Sequence, residues 1–166
     1  MGYLREAGRN DLDLLFRWAN ERAVRKSAFS EHEIAYDEHV KWFENVLKCE
    51  NVKQYIFIHD NEPVGQIRAD IHGNEAFVSY SICMEKRCMG YGKEMVGLLK
   101  GQVKRDFPQV KKMIANVKPD NIASQKVFLD SGYHYKCNVY EIEMTQENIK
   151  FENQEICTGG GIVNNK

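Results

Sequence analysis

Two glycines separated by a single residue, Gly90 and Gly92, stand where a strand-like segment gives way to an amphipathic helix. Glycine lets backbone N–H groups approach a ligand closely, and the first turn of a helix presents free N–H groups and the positive end of its dipole. This arrangement favours binding of an anion such as a phosphate. A tight turn with no ligand has the same composition, so the neighbouring sequence must distinguish the two.

Two common phosphate motifs do not fit this loop. A P-loop needs four residues between its glycines and a Lys followed by Ser or Thr, whereas Lys93 is followed by Glu94. A dinucleotide fingerprint needs a third glycine where the chain has Met95, and an acidic residue about 20 residues further on, where the chain has Lys111. The sequence therefore disfavours nucleotide hydrolysis and the binding of NAD or FAD.

Composition excludes several other classes. The chain has 166 residues, 43% of them hydrophobic, which suits one domain with a substantial core. Lys and Arg number 23 against 24 Asp and Glu, so the net charge of -1 gives no general basic field for nucleic acid or a membrane. No apolar run approaches the ~18 residues of a membrane-spanning helix. Five scattered cysteines without a C-x-x-C pair suit reduced thiols. We expect a cytoplasmic protein with no metal.

Hydrophobic periodicity predicts a single α/β (α+β) domain over residues 1–145 and a polar, flexible tail over 146–166. Strands are expected at 2–6, 54–60, 64–71, 75–84 and 111–118, with one or two more between 133 and 144. Helices are expected at 12–20, 38–48, 93–107 and 122–132. The order β-α-α-β-β-β-α-β-α-β(β) predicts a mixed, mostly antiparallel sheet flanked by helices.

Two spaced motifs add to this order. The residues Arg87, Gly90 and Gly92 fill the pattern [RQ]-x-x-G-x-[GA]. A second pattern, N-x-x-[AS]-x-x-x-[YF]-x-x-x-G-[FY], is filled by Asn121, Ser124, Phe128, Gly132 and Tyr133. Over roughly residues 1–145 the chain therefore resembles the GNAT family of N-acetyltransferases, and it is predicted to share their fold. The resemblance implies direct transfer of acetyl from acetyl-CoA to a primary amine, without a metal or a covalent enzyme intermediate.

The resemblance also implies where acetyl-CoA binds. Its pyrophosphate is expected on the glycine loop, and its pantetheine arm beside the preceding strand, through backbone groups of residues such as Ile82 and Met84. Asn121 and Ser124 are expected to face the pantetheine. The full set of predicted acetyl-CoA contacts is Ile82, Met84, Arg87, Cys88, Met89, Gly90, Tyr91, Gly92, Lys93, Asn121 and Ser124.

The family commonly has a tyrosine in the second motif as proton donor to the departing thiolate, but this chain has Phe128. The candidates for that proton are Ser124, Tyr133, Tyr135 and solvent. A general base is expected near the central strands, and its candidates are His39, Asp70, His72 and Glu75.

The acceptor is expected to contact the first helices. The segment from Phe16 to Phe43 resembles the nucleotide-sugar acetyltransferases of the pseudaminic-acid pathway, which share its F-[KR]-W-x-N, V-R and E-H patterns. The resemblance implies a UDP-linked 4-amino sugar as acceptor. The predicted acceptor contacts are Asn20, Arg25, Phe29, His39 and Tyr80.

Two other functions stay open. Acetyltransferases of ribosomal-protein N-termini share the W-x-N beginning, so a peptide is an alternative acceptor. The phenylalanine at position 128 also fits a non-catalytic module that only binds acyl-CoA. The sequence leaves the oligomeric state open, a homodimer included.

Overall fold

The computed structural model describes residues 1–137. The predicted domain end at residue 145, the tail at 146–166 and most of the final strands lie outside the described residues. The chain divides into two compact units, Met1–His134 and Tyr135–Lys166. In the second unit the described residues 135–137 are exposed and have no regular secondary structure.

The described chain contains five strands and five helices. The strands are β1 (Tyr3–Glu6), β2 (Val52–His59), β3 (Glu62–His72), β4 (Glu75–Ile82) and β5 (Lys112–Ile114). The helices are α1 (Leu12–Ala19), α2 (Arg22–Ser27), α3 (Tyr36–Lys48), α4 (Tyr91–Asp106) and α5 (Ile122–Asp130). Short 3-10 turns precede α1 at Arg9–Asp11 and follow β4 at Met84–Lys86. Among the described residues no helix is both long and apolar enough to cross a membrane.

The strands form one sheet in the order β1-β2-β3-β4-β5. The first four strands are antiparallel to their neighbours, and β5 runs parallel to β4. The predicted mixed, mostly antiparallel sheet flanked by helices is therefore confirmed. The helix α2 was not expected, because residues 21–36 show no clear helical period.

Successive strand residues face opposite sides of the sheet, and each side has its own core. On one side, Tyr55 and Phe57 of β2 pack with Ile67 of β3 against Met95 and Leu99 of α4. We call this the α4 face. On the other side, Ile56 and Ile58 pack with Leu15 and Trp18 of α1 and with Phe43 of α3. Helices α1 and α3 cover β2 more than β4, so the latter strand keeps a polar outer surface on this side.

The parallel pairing of β4 with β5 is short. It joins Glu75 to Lys112 and ends where Phe77 faces Ile114, although β4 continues to Ile82. The strand predicted at 111–118 is only three residues long for this reason. Within the described part of the chain, no strand pairs with the outer edge of β4 over residues 78–82. We call this edge and the space beside it the wedge.

Candidate active site

The loop at residues 87–92, which connects β4 to α4, has an unusual backbone. Gly90, the N-cap of α4, has φ +83°, and Cys88 has φ +62°. The N–H groups of Lys93 and Glu94 turn back to the Gly90 carbonyl at 3.1 and 3.3 Å, as in a first helical turn. A Cβ on Gly90 would meet no atom within 4 Å, so the backbone conformation requires this glycine. The loop thus exposes N–H groups at the positive end of a helix of sixteen residues.

Gly92 has a different role from the one expected. It is buried in the first turn of α4, where an added Cβ would lie 3.3 Å from Val127 of α5 and 3.4 Å from the ring of Tyr80 on β4. A side chain at this position would require Val127 to move by a few tenths of an ångström. Gly92 therefore allows α4 to pack against β4 and α5, besides shaping the loop. A larger residue there would disturb packing and ligand approach together.

Arg87, at the start of the loop, binds the protein itself. Its Nε donates to the Ile82 carbonyl at 3.0 Å, and its guanidinium forms an ion pair with the carboxylate of Glu21. Glu21 is the N-cap residue of α2, on the helix-rich side of the molecule. The sequence motif identifies Arg87 but does not identify Glu21 as its partner, because the two residues are 66 positions apart. Their opposite charges are the only feature of the sequence that favours this pairing.

Two hydroxyl groups meet beside the wedge. The Tyr80 hydroxyl donates to Ser124 Oγ at 3.3 Å, which joins β4 to α5. Asn121 caps α5, since its Oδ1 accepts the Ser124 N–H at 3.1 Å. The Phe128 ring packs edge-on against Tyr80 at 5.5 Å between centroids. Burial raises the pKa of Tyr80, so its hydroxyl stays protonated at neutral pH.

The segment at residues 20–35, which we call the acceptor segment, uses two of the predicted acceptor contacts internally. Asn20 Nδ2 donates to the Ile34 carbonyl at 3.0 Å, and its Oδ1 accepts the Ile34 N–H at 2.9 Å. Arg25 Nε donates to the Ala19 carbonyl at 2.7 Å, and its Nη1 contacts the carbonyls of Ser30 and His32. Both side chains close the segment on itself. These bonds give both side chains a structural role, and their contact with a substrate stays a prediction.

His39 is also placed differently from the prediction. It is only 2% exposed and lies among the rings of Phe16, Trp42 and Phe43, between α1 and α3. Burial lowers its pKa, which a backbone hydrogen bond to Leu12 partly opposes. A neutral imidazole buried in an aromatic cluster is unsuited to contact a diphosphate or to act as a base at the wedge. Phe29, in contrast, is 74% exposed, as a ligand contact requires.

The polar side of β3 and β4 contains a cation that the sequence did not single out. Arg68 lies opposite Ser79 in the β3–β4 register, and its Nε donates to Asp70 at 2.9 Å. The Arg68 guanidinium carbon lies 5.5 Å from the centre of the Trp42 ring, which is 36% exposed. Ser79 is exposed and lies in the part of β4 beyond its pairing with β5. We call Arg68, Asp70, Ser79 and Trp42 the polar face.

Comparison with known families supports the motifs. The model of the acetyltransferase (GNAT) domain matches residues 3–134, which is most of the chain. The chain belongs to the GNAT acetyltransferase family. The predictions of the family and of an acetyltransferase enzyme are thereby confirmed. No curated protein matches the sequence.

Solved structures share this GNAT fold at low identity. Aminoglycoside acetyltransferase AAC(6')-Ib in complex with coenzyme A is 18% identical, with a TM-score of 0.73 over 84% of this chain and 87% of that one. Spermidine N-acetyltransferase from Vibrio cholerae, in complex with CoA and spermine, is 16% identical, with a TM-score of 0.71 over 79% of each chain. The ribosomal L7/L12 α-N-protein acetyltransferase RimL, in complex with coenzyme A, is 18% identical, with a TM-score of 0.68 over 77% of each chain. These likenesses concern the fold.

The two tyrosines of this GNAT protein that are candidates for proton transfer differ in burial. The Tyr133 hydroxyl is buried without a hydrogen-bond partner among the described residues, and burial raises its pKa to about 12. Its ring packs edge-on against Phe128 at 5.0 Å. Tyr135 lies in the second unit and is 67% exposed.

The base candidates on β3 and β4 lie at the closed end of the sheet. Glu75 forms an ion pair with Lys112, where β4 and β5 still pair, and His72 lies opposite Glu75 in the exposed turn. Tyr80 follows Glu75 by five residues, which is roughly 16 Å along a strand at ~3.3 Å per residue. Glu75 therefore lies well away from Tyr80, and its catalytic role stays a prediction. Asp70 is nearer and belongs to the polar face.

The remaining predicted acetyl-CoA contacts are on the surface of the loop region. Cys88, Met89 and Lys93 are exposed, as is Met84, which lies in the 3-10 turn after β4 rather than in the strand. No group of three or more His, Cys, Asp or Glu residues suited to a metal occurs among the described residues.

Proposed function

We propose that this GNAT domain binds acetyl-CoA in the wedge and transfers its acetyl group directly to a primary amine. The observation that supports it most is the continuity of the free β4 edge, at residues 78–82, with the exposed N–H groups of the loop around Gly90. An extended arm with amide groups pairs with a free strand edge as an added strand, and a diphosphate binds a helix N-terminus. Both interactions are available side by side.

In the proposed acetyl transfer, different residues of the chain take different roles. The amine nitrogen forms a bond with the thioester carbonyl carbon, the carbon–sulfur bond breaks, and the sulfur leaves as a thiolate that takes up a proton. The free N–H groups of β4 polarise the carbonyl. We assign Ser124 Oγ as the group that donates this proton to the thiolate. It lies beside the wedge and accepts a hydrogen bond from the Tyr80 hydroxyl at 3.3 Å. The amine loses its proton to solvent or to a carboxylate of the polar face.

For the acceptor, we propose a UDP-linked 4-amino sugar, which the residue pattern from Phe16 to Phe43 favours. Because Asn20, Arg25 and His39 are occupied within the protein, the polar face replaces them as the proposed binding surface. Arg68 keeps its terminal nitrogens for a diphosphate while Asp70 holds its Nε, and Trp42 offers a ring for stacking.

Steady-state kinetics test this proposal. A UDP-4-amino-4,6-dideoxy sugar should release CoA from acetyl-CoA, and Arg68→Met should raise its KM about 12- to 150-fold, since one charge-assisted contact is worth ~1.5–3 kcal/mol. The KM for acetyl-CoA should hardly change. Arg105→Met is the matched control. Arg105 lies in the last turn of α4, on the other side of the sheet from the polar face, and contacts Gln102. Equal KM values for Arg68→Met and wild type would remove the polar face from the acceptor site.

The alternatives give different results in the same assay. Acetylation of a peptide N-terminus, with no CoA release from any UDP-amino sugar, would establish the protein acetyltransferase and leave the acetyl-CoA site intact. Binding of acetyl-CoA without turnover on sugars, peptides or simple amines would establish the non-catalytic module.

A further inference from the structure

The acetyl-CoA loop, residues 87–92, has a backbone conformation that other contacts must stabilise. Cys88 has φ +62°, a conformation that costs a residue with a side chain energy and persists where neighbouring contacts hold it. Gly90, two residues later, repeats the positive φ without that cost. The exposed side chains of Cys88 and Met89 contribute little packing. The contacts that fix the loop must come from another of its residues.

Arg87 supplies two such contacts from one side chain, besides the packing of Tyr91 against Phe57 and His59. Its Nε binds the carbonyl of Ile82, so the loop is fastened to the end of its own strand. Its terminal nitrogen binds Glu21, so the loop is also fastened to the acceptor segment at the N-cap of α2. The Glu21 side chain is 19% exposed and that of Arg87 31% exposed, so the pair is largely shielded from solvent.

Glu21 is itself held firmly. Its N–H donates to the Trp18 carbonyl at 3.3 Å, and its carbonyl accepts the Arg25 N–H at 2.9 Å. Trp18 belongs to the core between α1 and the sheet, and Arg25 closes the acceptor segment. The carboxylate therefore projects from a fixed backbone and can fix Arg87 in turn.

A carboxylate beside a diphosphate site cannot favour the ligand directly, because like charges repel. Glu21 also draws the Arg87 guanidinium into an ion pair within the protein. We propose that Glu21 is a positioning residue for acetyl-CoA, which acts through Arg87 to hold the loop in its binding shape. This inference rests on the proposed function, since it takes the loop as the acetyl-CoA site.

The charge effect and the positioning effect have opposite signs, and this makes the test decisive. Calorimetric titration of CoA into Glu21→Gln should show binding weakened by about fivefold, the scale of one partly shielded ion pair. Removal of a negative charge alone would strengthen binding. Glu33→Gln is the matched control, because Glu33 is an exposed acid in the same segment. Unchanged or tighter binding in Glu21→Gln would overturn the proposal.

A second substitution separates loop positioning from general damage. Combined with Glu21→Gln, Cys88→Gly removes the cost of the positive φ and should recover at least half of the lost affinity. A loss caused by general destabilisation would not be repaired at Cys88, so failure of this recovery would also overturn the proposal. If Glu21→Gln does not fold, Glu21→Asp, which keeps the charge on a shorter side chain, decides by the same criterion.

Wild-type binding separates the two levels of inference. If the unmodified protein binds no CoA, the proposed function fails, and with it the role of Glu21 in CoA binding. If it binds CoA and Glu21→Gln binds equally well, the proposed function stands and the role of Glu21 is rejected.

Discussion

The acetyl-CoA loop and the acceptor segment use polar groups in opposite ways. In the loop the backbone is exposed, and its shape is fixed by positive φ angles at Cys88 and Gly90 and by one inward-facing arginine. In the acceptor segment the side chains of Asn20 and Arg25 form hydrogen bonds with the backbone. A polar residue in a motif is therefore a ligand contact only if its own chain does not already satisfy it.

The comparison predicts that substitutions near the wedge and in the loop change catalysis and binding, whereas those of Asn20 and Arg25 in the acceptor segment change stability. The strongest expected effect is on turnover. Ser124→Ala should lower kcat about 100-fold, the lower end for loss of a proton-transfer group, with little change in acetyl-CoA affinity. Tyr133→Phe is the control and should keep the wild-type kcat. A normal kcat in Ser124→Ala would mean that solvent protonates the thiolate.

The next effect is on donor binding. Gly90→Val places a β-branched residue at φ +83°, and the strain of roughly 1–3 kcal/mol should appear as acetyl-CoA binding weakened about 5- to 150-fold. Gly101→Ala provides the contrast, since that glycine lies on an open face of α4 and alanine there should stabilise the helix by ~1 kcal/mol. Calorimetry and thermal unfolding measure both variants. Wild-type affinity in Gly90→Val would remove the loop from the binding site.

In the acceptor segment, Asn20→Ala should act on folding. It removes two hydrogen bonds to Ile34, so the free energy of unfolding should fall by about 1–3 kcal/mol, as measured by denaturant titration. The acceptor KM of the folded protein should stay near wild type. Asn10→Ala, at an exposed position before α1, should change neither quantity. A large rise in KM at unchanged stability would restore Asn20 as a substrate contact.

The smallest effect concerns the pH dependence of stability at His39. Burial lowers the pKa of His39 in the folded state. As the pH falls below the ordinary histidine pKa of ~6.5, the unfolded chain therefore binds a proton before the folded chain does. The free energy of unfolding should decrease as the pH falls from that value to the lower folded-state pKa. His39→Phe should flatten the slope. Identical slopes for His39→Phe and wild type would contradict the buried neutral state.

Much of the fold follows from local patterns. The alternation in β2, β3 and β4 and the helical spacing in α1, α3, α4 and α5 predict the elements, because burial of one face selects the period. The positive φ of Gly90 follows from the residue type and its place between strand and helix. Helix α2 was missed, because its stability comes from Arg25 and from its neighbours rather than from an apolar stripe.

The sequence by itself determined the family, the loop and the absence of a tyrosine hydroxyl at Phe128, since these depend on residue type and on spacing along the chain. Only the tertiary structure decided which polar side chains stay available. The pairing of Arg87 with Glu21, the burial of His39 and the stacking of Arg68 on Trp42 join distant parts of the chain. Such contacts depend on how the helices pack over the sheet, and no local pattern contains that information.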